Sequence, residues 1–478
     1  MKLIHSQYRQ LFWVLGAFTL VRLAVAPFFG FGVDEAHYLL YGYHLDWSYV
    51  DHPPLVGWIH AFILFCTKGG EFFSRIPAIA LMIVTSVGAY RFLLSAGADH
   101  HQALWGITAL NASFMFGALG LMLLPENLLM ALLFPLMESV LRIERTGKAR
   151  DFVLLGILLG ALGLSKYTAI LFIPAILGYF LAKRRFDLFA NPRTLLSVSL
   201  ALIMISPVIL WNQQHDWISF LYQSEHVAGG TAIALKPFFK SLAGQIGAYN
   251  PLLYVIALFG WIGAFRSSDD TVRLALWIGT TIALFFLVSS FLKPVLPHWP
   301  ALFYLLFIPL GTVMLLRRGW DKTVKGVILF SALLSLLIHA ELVFKWGHFP
   351  DYKSPFRDIY GYDRIAGEAD ALFRGIPSTK KALAVTNWTY GSRILYYTRP
   401  YGEKVFTLDT KNRQFSLWEA ESPVGYDLLI ITSHFTADAA SAVVCTEYVP
   451  LGNSVITLEG GIVDTFTYTL CRNYRGER

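Results

Sequence analysis

The sequence predicts an α-helical polytopic membrane protein with a small carboxyl-terminal α/β domain, and three observations carry that reading. The 478 residues are 55% hydrophobic and 15% aromatic but only 15% charged, with a mean hydropathy of +0.52; soluble domains carry roughly a quarter charged residues. The apolar excess falls in repeated runs near the length that spans a bilayer. After about Gly347 the pattern changes to short β-prone runs separated by Gly, Pro and charged residues. Disorder, collagen and disulfide scaffolds are excluded.

The apolar runs lie near 11–29, 76–94, 102–120, 122–141, 152–165, 167–182, 195–211, 242–265, 272–292, 296–316 and 324–345, which makes about eleven crossings. Two boundaries rest only on Pro125-Glu126-Asn127 and Ser165-Lys166-Tyr167. Charge parity decides both. The basic segments holding Arg142 to Arg150, Lys183 to Arg193, Arg266 and Arg273, and Arg317 to Lys325 belong in the cytoplasm by the positive-inside rule. An even number of crossings then separates each pair, so Lys166 and Glu126 fall at outer turns. The formal charge of +7 is thereby mostly topological and implies no nucleic-acid partner.

The amino end carries Lys2 and Arg9 before the first apolar run and reads as an uncleaved first span. Eleven crossings from an inner amino terminus place the tail outside, in the periplasm of a Gram-negative source. The expected division is 1–346 for the membrane domain, including an outer loop over 30–75, and 347–478 for the periplasmic α/β domain. Runs at Lys381 to Asn387, Tyr426 to Thr432 and Thr465 to Leu470 are its candidate strands. Three cysteines are too few for a structural metal cluster; Cys445 and Cys471 either pair across neighbouring strands or remain two free thiols.

Polar residues that apolar spans do not require gather on the outer side. The first outer loop holds Asp34, Glu35, His37 and Tyr38, then Asp46 to Leu55 with Asp51-His52-Pro53-Pro54, and a stretch at 55–66 too short to cross, so expected along the interface. Later loops add Glu126, Lys166, Trp211-Asn212 through Trp217, and Lys293 with Pro297-His298-Trp299-Pro300. Singly, each fits a structural role: Trp and Pro anchor span ends, Lys166 snorkels, and Arg75 anchors its span. As a set on one face they support a site. Activated nucleotides are not available outside the membrane, so a transferase there draws its sugar from a membrane-borne carrier such as a polyprenyl phosphate. That carrier needs cations for its phosphate, which Lys166, Lys293, His298, Arg75 and His52 supply, and a carboxylate for the nucleophile, which Asp34 supplies.

At these residues the sequence resembles a known family. The run Asp34-Glu35-Ala-His37-Tyr38, followed by Tyr49-Val-Asp51-His52-Pro53-Pro54-Leu55, is similar to the first periplasmic loop of GT-C class glycosyltransferases related to dolichyl-phosphate-mannose protein mannosyltransferases and to the bacterial aminoarabinose transferase of lipid A. Gly70-Glu71 to Pro77, Gly163 to Ala169, Trp211 to Phe220, Pro297 to Pro300, and Asn387 to Tyr397 resemble further segments in order along nearly the whole chain. The resemblance implies the GT-C fold, Asp34 as the catalytic carboxylate with Glu35 and Tyr38 shaping the site, and Lys166 on the donor phosphate. Where many members have a Pro-Asp turn this chain has Pro125-Glu126, which makes Glu126 a second acid of altered reach. No cofactor is assigned; some relatives hold a divalent metal, for which Asp51 and a nearby histidine offer ligands.

The implied function is an inverting glycosyltransferase of the bacterial inner membrane. It moves a sugar from a polyprenyl-phosphate donor to a lipid, lipid A or another glycolipid, or to a protein, with membrane lipids as its surroundings. The segment 55–66 and the loop 212–240 with Gly229-Gly230 are candidates to cover the site. The competing class is a lipid-linked sugar transporter or flippase, which usually needs ionisable groups near the midplane; Arg22 is the main such residue.

Overall fold

The computed structural model describes residues 2–228, 233–409, 414–419 and 421–477. The chain divides into two compact units: Met1–Ala26, Asp46–Ile59 and Phe72–His339 form the first, and Pro27–Leu45, His60–Glu71 and Ala340–Arg478 the second. By contacts, therefore, two pieces of the expected outer loop group with the carboxyl-terminal residues.

The first unit is helical, and every predicted apolar run coincides with a helix or a helix pair. Among the described residues, four helices are long and apolar enough to cross a membrane by length and composition: Glu71–Ser95, Pro192–Gln214, Asp270–Leu292 and Asp321–Phe344. The other runs are shorter, more charged or broken. The run 102–120 breaks at Ser113, between His100–Ala112 and Phe114–Leu119. The run 242–265 is not one straight span, as expected, but two helices, Leu235–Tyr249 and Pro251–Ala264, bent by 103°. The cause is local: Asn250 takes a positive φ of 70°, its side chain accepts from Leu252 N, and Pro251 opens the next helix, where its missing N–H costs nothing.

Helix Ala301–Arg317 is buried on all sides except at Met314 and Arg317, as an all-round apolar helix must be. Helix Ala149–Ser165 instead packs through small residues. A Cβ at Gly156 would lie 2.6 Å from the carbonyl oxygen of Ser197, and one at Gly160 would lie 2.6 Å from Met204. Spacing of four residues puts both glycines on one face, so helix Pro192–Gln214 approaches to near backbone contact.

The second unit contains a five-stranded sheet. Its strands are β1 (Lys381–Val385), β2 (Val405–Thr407), β3 (Asp427–Ser433), β5 (Glu447–Leu458) and β6 (Gly461–Arg472), in the order β2-β1-β3-β6-β5, and a separate pair joins β4 (Val443–Val444) to β7 (Gly476–Glu477). The three runs picked from sequence are β1, β3 and β6. Strand β1 runs parallel to β2 and β3, whereas β6 is antiparallel to both β3 and β5. One face is covered by helices Tyr362–Arg374 and Trp388–Thr398, whose Ile365, Phe373 and Ile394 share a core with Leu383, Leu429, Tyr468 and Leu470. Cys445 and Cys471 are joined in a disulfide, with Cα atoms 5.4 Å apart, which resolves the alternative left by the sequence.

Candidate functional site

In the first unit a buried ionic cluster forms where three helix ends meet. Pro125 starts helix Pro125–Thr146 at its first position, and Asn127 Oδ1 accepts from Leu124 N at 2.8 Å, so the second residue, Glu126, sits in the first turn, where the helix dipole favours a carboxylate. Lys166 ends helix Ala149–Ser165: its N–H closes on Leu162 O at 3.1 Å, its backbone turns extended at φ −156°, and a tight turn follows at Tyr167–Leu171. The Lys166 ammonium forms an ion pair with Glu126 Oε1, with side-chain exposures of only 10% and 5%. His298 Nε2 lies 3.6 Å from the same oxygen, and His52 also acts on this carboxylate through space.

The segment carrying His52 is fastened in place by polar groups that sequence reasoning missed. Asp51 Oδ2 is 3.3 Å from His52 Nδ1. Ser219 Oγ donates to Tyr49 O at 2.9 Å, and Gln223 Nε2 donates to Asp51 O at 2.6 Å. Asn212 Oδ1 in turn accepts from Ser219 N at 3.1 Å. Ser48 Oγ and the Tyr167 hydroxyl lie 3.2 Å apart. The signal was present, since Tyr167 adjoins Lys166 and Asn212 and Ser219 lie in segments singled out above, but nothing in spacing alone joins residues 170 apart.

Two further expected phosphate ligands each donate to a backbone carbonyl. Arg75 is fully buried and its Nη1 donates to the Ala26 carbonyl, a bond that ties helix Glu71–Ser95 to the end of helix Lys2–Val25. Lys293 donates from Nζ to the Glu225 carbonyl at 2.5 Å. Gly229 and Gly230 lie outside the described residues; the expected covering loop contains helix Ile218–Ala228 and the start of helix Leu235–Tyr249.

In the second unit the run expected as a loop is a helix, Val33–Tyr43. Glu35, three residues past the cap, turns back so that Oε2 accepts from Gly32 N at 3.4 Å, the capping-box contact that starts a helix. Asp34 is in the same first turn and partly exposed; its carboxylate has no hydrogen bond or ion pair among the described residues. Tyr38 is buried, with its ring 5.8 Å from that of His37. His37 Nε2 lies 3.3 Å from the Tyr41 hydroxyl and Nδ1 lies 3.4 Å from Ser392 Oγ, while Trp388 packs edge-on against its ring. The late segment Asn387 to Tyr397 is thus the helix on which Val33–Tyr43 rests. Tyr397 completes the support, accepting from Phe31 N at 3.0 Å and donating to Glu71 Oε1 at 2.8 Å. His44 stacks on Trp418; burial, with the Arg399 charge beside it, holds its pKa below the usual histidine value.

Among the described residues no three or more His, Cys, Asp or Glu side chains gather as a metal-ligand group. Asp51 and His52 alone do not make such a set, and no step below runs through a metal.

The fold has solved relatives. ArnT from Cupriavidus metallidurans in the apo state superposes with a TM-score of 0.65 at 14% identity, covering 96% of this chain and 97% of its own. The same protein bound to undecaprenyl phosphate gives 0.62 at 13%, again over 96% and 97%. Both define a GT-C membrane fold with a carboxyl-terminal sheet region. Residues 51–211 match the family model for dolichyl-phosphate-mannose-protein mannosyltransferase. The lipid A galacturonosyltransferase RgtD of Rhizobium johnstonii is 25% identical over 377 residues, 75% of this chain and 76% of RgtD. The chain has the GT-C membrane fold, and over residues 51–211 it is similar to the family of these protein mannosyltransferases.

Proposed function

We propose that the chain is an inverting glycosyltransferase of the bacterial inner membrane that moves a hexosyl or pentosyl group from a polyprenyl-phosphate donor to a glycolipid, lipid A foremost, on the periplasmic face. The observation that carries the reading is the buried Lys166–Glu126–His298 cluster. A lysine held this far from water by one carboxylate is a fixed cation whose position is set before any ligand arrives, and such preorganised charge stabilises a developing anion without reorganising. The names of the relatives support the two substrates, since RgtD acts on lipid A and ArnT binds undecaprenyl phosphate. The disulfide fits a carboxyl-terminal region outside the cytoplasm.

In the reaction the acceptor oxygen attacks the anomeric carbon as the bond from that carbon to the donor phosphate oxygen breaks. The phosphate departs on the opposite face with the bonding electrons, so the configuration inverts. Asp34 takes the proton of an acceptor hydroxyl, or orients an acceptor phosphate that has none to lose. Lys166 and His298 bind the leaving phosphate, Glu126 keeps the ammonium aimed, and His52 adds charge on the same side. Glu35 acts through the helix start it caps and Tyr38 through packing, so both position Asp34. Arg75 and Lys293, each also bound to a backbone carbonyl, add positive charge for the donor phosphate.

The test is reconstitution with radiolabelled polyprenyl-phosphate sugars and lipid A. Label moving into the glycolipid supports the reading, and label moving only into protein would redirect the acceptor. Labelled donor crossing the bilayer without being consumed would replace transfer by transport.

A further inference from the structure

The first unit also carries a cleft for which the reaction above gives no role. Helices Glu71–Ser95 and Pro125–Thr146 leave a cleft of about 320 Å³ between them, reached also by Thr271. Val84, Val87, Phe134, Met137 and Leu141 make its wall, and Arg91, Arg142, Arg145 and Glu138 its charged mouth. Arg142 lies sixteen residues beyond Glu126 on one helix, roughly 24 Å along the axis at 1.5 Å per residue, so the two places cannot share one headgroup.

The charges at the mouth do not cancel. Glu138 lies 3.7 Å from Arg91 and 3.5 Å from Arg142, and Arg142 is held at 3.0 Å by buried Asp151. Arg145 is exposed and has no ion pair among the described residues. Three guanidinium groups thus meet two carboxylates, Glu138 and the buried Asp151, which leaves positive charge in excess beside an apolar slot in a membrane protein. We propose that this cleft binds an anionic glycerophospholipid, with an acyl chain along the Val84–Met137 wall and the phosphate between Arg91 and Arg145. A diacyl lipid fits both halves of the site, whereas a soluble anion leaves the apolar wall unexplained. Basic pockets between membrane helices recognise such headgroups, and planar guanidinium groups suit phosphate. The proposal uses the membrane assignment and is independent of the transferase reading, except that the orientation proposed there puts the cleft in the cytoplasmic leaflet.

The experiment is native mass spectrometry of the full chain released from nanodiscs, titrated with phosphatidylglycerol or phosphatidylcholine. Wild type should retain phosphatidylglycerol in preference, and Arg91→Gln with Arg145→Gln should weaken that binding by about 10- to 30-fold while leaving phosphatidylcholine binding and sugar transfer unchanged. Val84→Trp, at an exposed position on the apolar wall, should block the same lipid without altering charge. Equal retention of both lipids by wild type, equal phosphatidylglycerol binding by the arginine variant, or displacement of the lipid by millimolar inorganic phosphate would each overturn the proposal. Loss of sugar transfer in wild type would count against the function above and not against this site.

Discussion

Lys166 and Glu126 are each tolerable in a dry site only because the other is there. Removing one partner of a buried pair leaves the other charge uncompensated, at a cost of about 3–5 kcal/mol. Lys166→Ala should therefore lower both stability and turnover, the latter by about 10²- to 10³-fold if the ammonium holds the leaving phosphate. The double variant Lys166→Ala with Glu126→Gln separates the effects: its unfolding midpoint should recover most of the loss while turnover stays low. Recovery of turnover along with stability would show that the pair is only structural. Lys166 was legible from sequence as a cation at a break between apolar runs, but its pairing with Glu126, 40 residues away, was not, because nothing in either segment fixes how two helix ends meet. The contact of Arg75 with the Ala26 carbonyl was hidden for the same reason. A basic residue at a span start reads as a ligand or an anchor, and only the fold reveals the Ala26 carbonyl it satisfies.

Helix Val33–Tyr43 shows what pattern reading misses at the next scale. Polar residues crowd its first turn and Gly32 precedes it, so the segment looks like loop, yet Gly32 and Glu35 are the parts of a helix start. The apolar runs were legible because bilayer length imposes a simple signal, and parts of β1, β3 and β6 because they are apolar or β-prone runs set off by Gly, Pro and charged residues. The 103° break at Asn250-Pro251 was not, since apolar composition continues across it. The glycine face of helix Ala149–Ser165 yields a packing prediction. Gly156→Val should destabilise the chain by about 1–3 kcal/mol or more, because the Cβ meets a backbone carbonyl and not a movable side chain; a midpoint unchanged in chemical denaturation would show that the helices separate freely. In the second unit Glu419 accepts from Thr407 N at 2.9 Å, and burial pushes its pKa up to about 7 from 4.5 despite that bond and Lys404. The folded form thus holds its proton more tightly than the unfolded form, so this group's contribution is greatest below pH 4.5 and declines as pH rises through 7. Melting curves between pH 4.5 and 8 should show wild type losing stability relative to Glu419→Gln as pH rises; parallel curves would refute the assignment.

At the scale of the whole molecule, the membrane character was accessible from composition and the GT-C fold from the resemblance of its motifs, while the grouping of residues 27–45 and 60–71 with the carboxyl-terminal third was not. That grouping depends on aromatic contacts such as Phe31 with Tyr396, between positions 365 apart in the chain. The proposed orientation is open to a direct check. In a Cys66→Ser background, which removes the exposed free thiol, Ser441→Cys should react with a membrane-impermeant maleimide from the periplasmic side and Lys148→Cys should not. The reverse pattern would invert the topology and place the site in the cytoplasm.

The central claim is that the Asp34 carboxylate, without a partner of its own among the described residues, performs the chemistry and does not merely hold the fold. The most direct measurement is Asp34→Asn in nanodiscs, comparing donor affinity with turnover of a labelled polyprenyl-phosphate sugar onto lipid A. The account predicts donor binding within about 3-fold of wild type and turnover reduced by 10² or more, the range lost with a general base. Turnover equal to wild type, with donor binding intact, would contradict it.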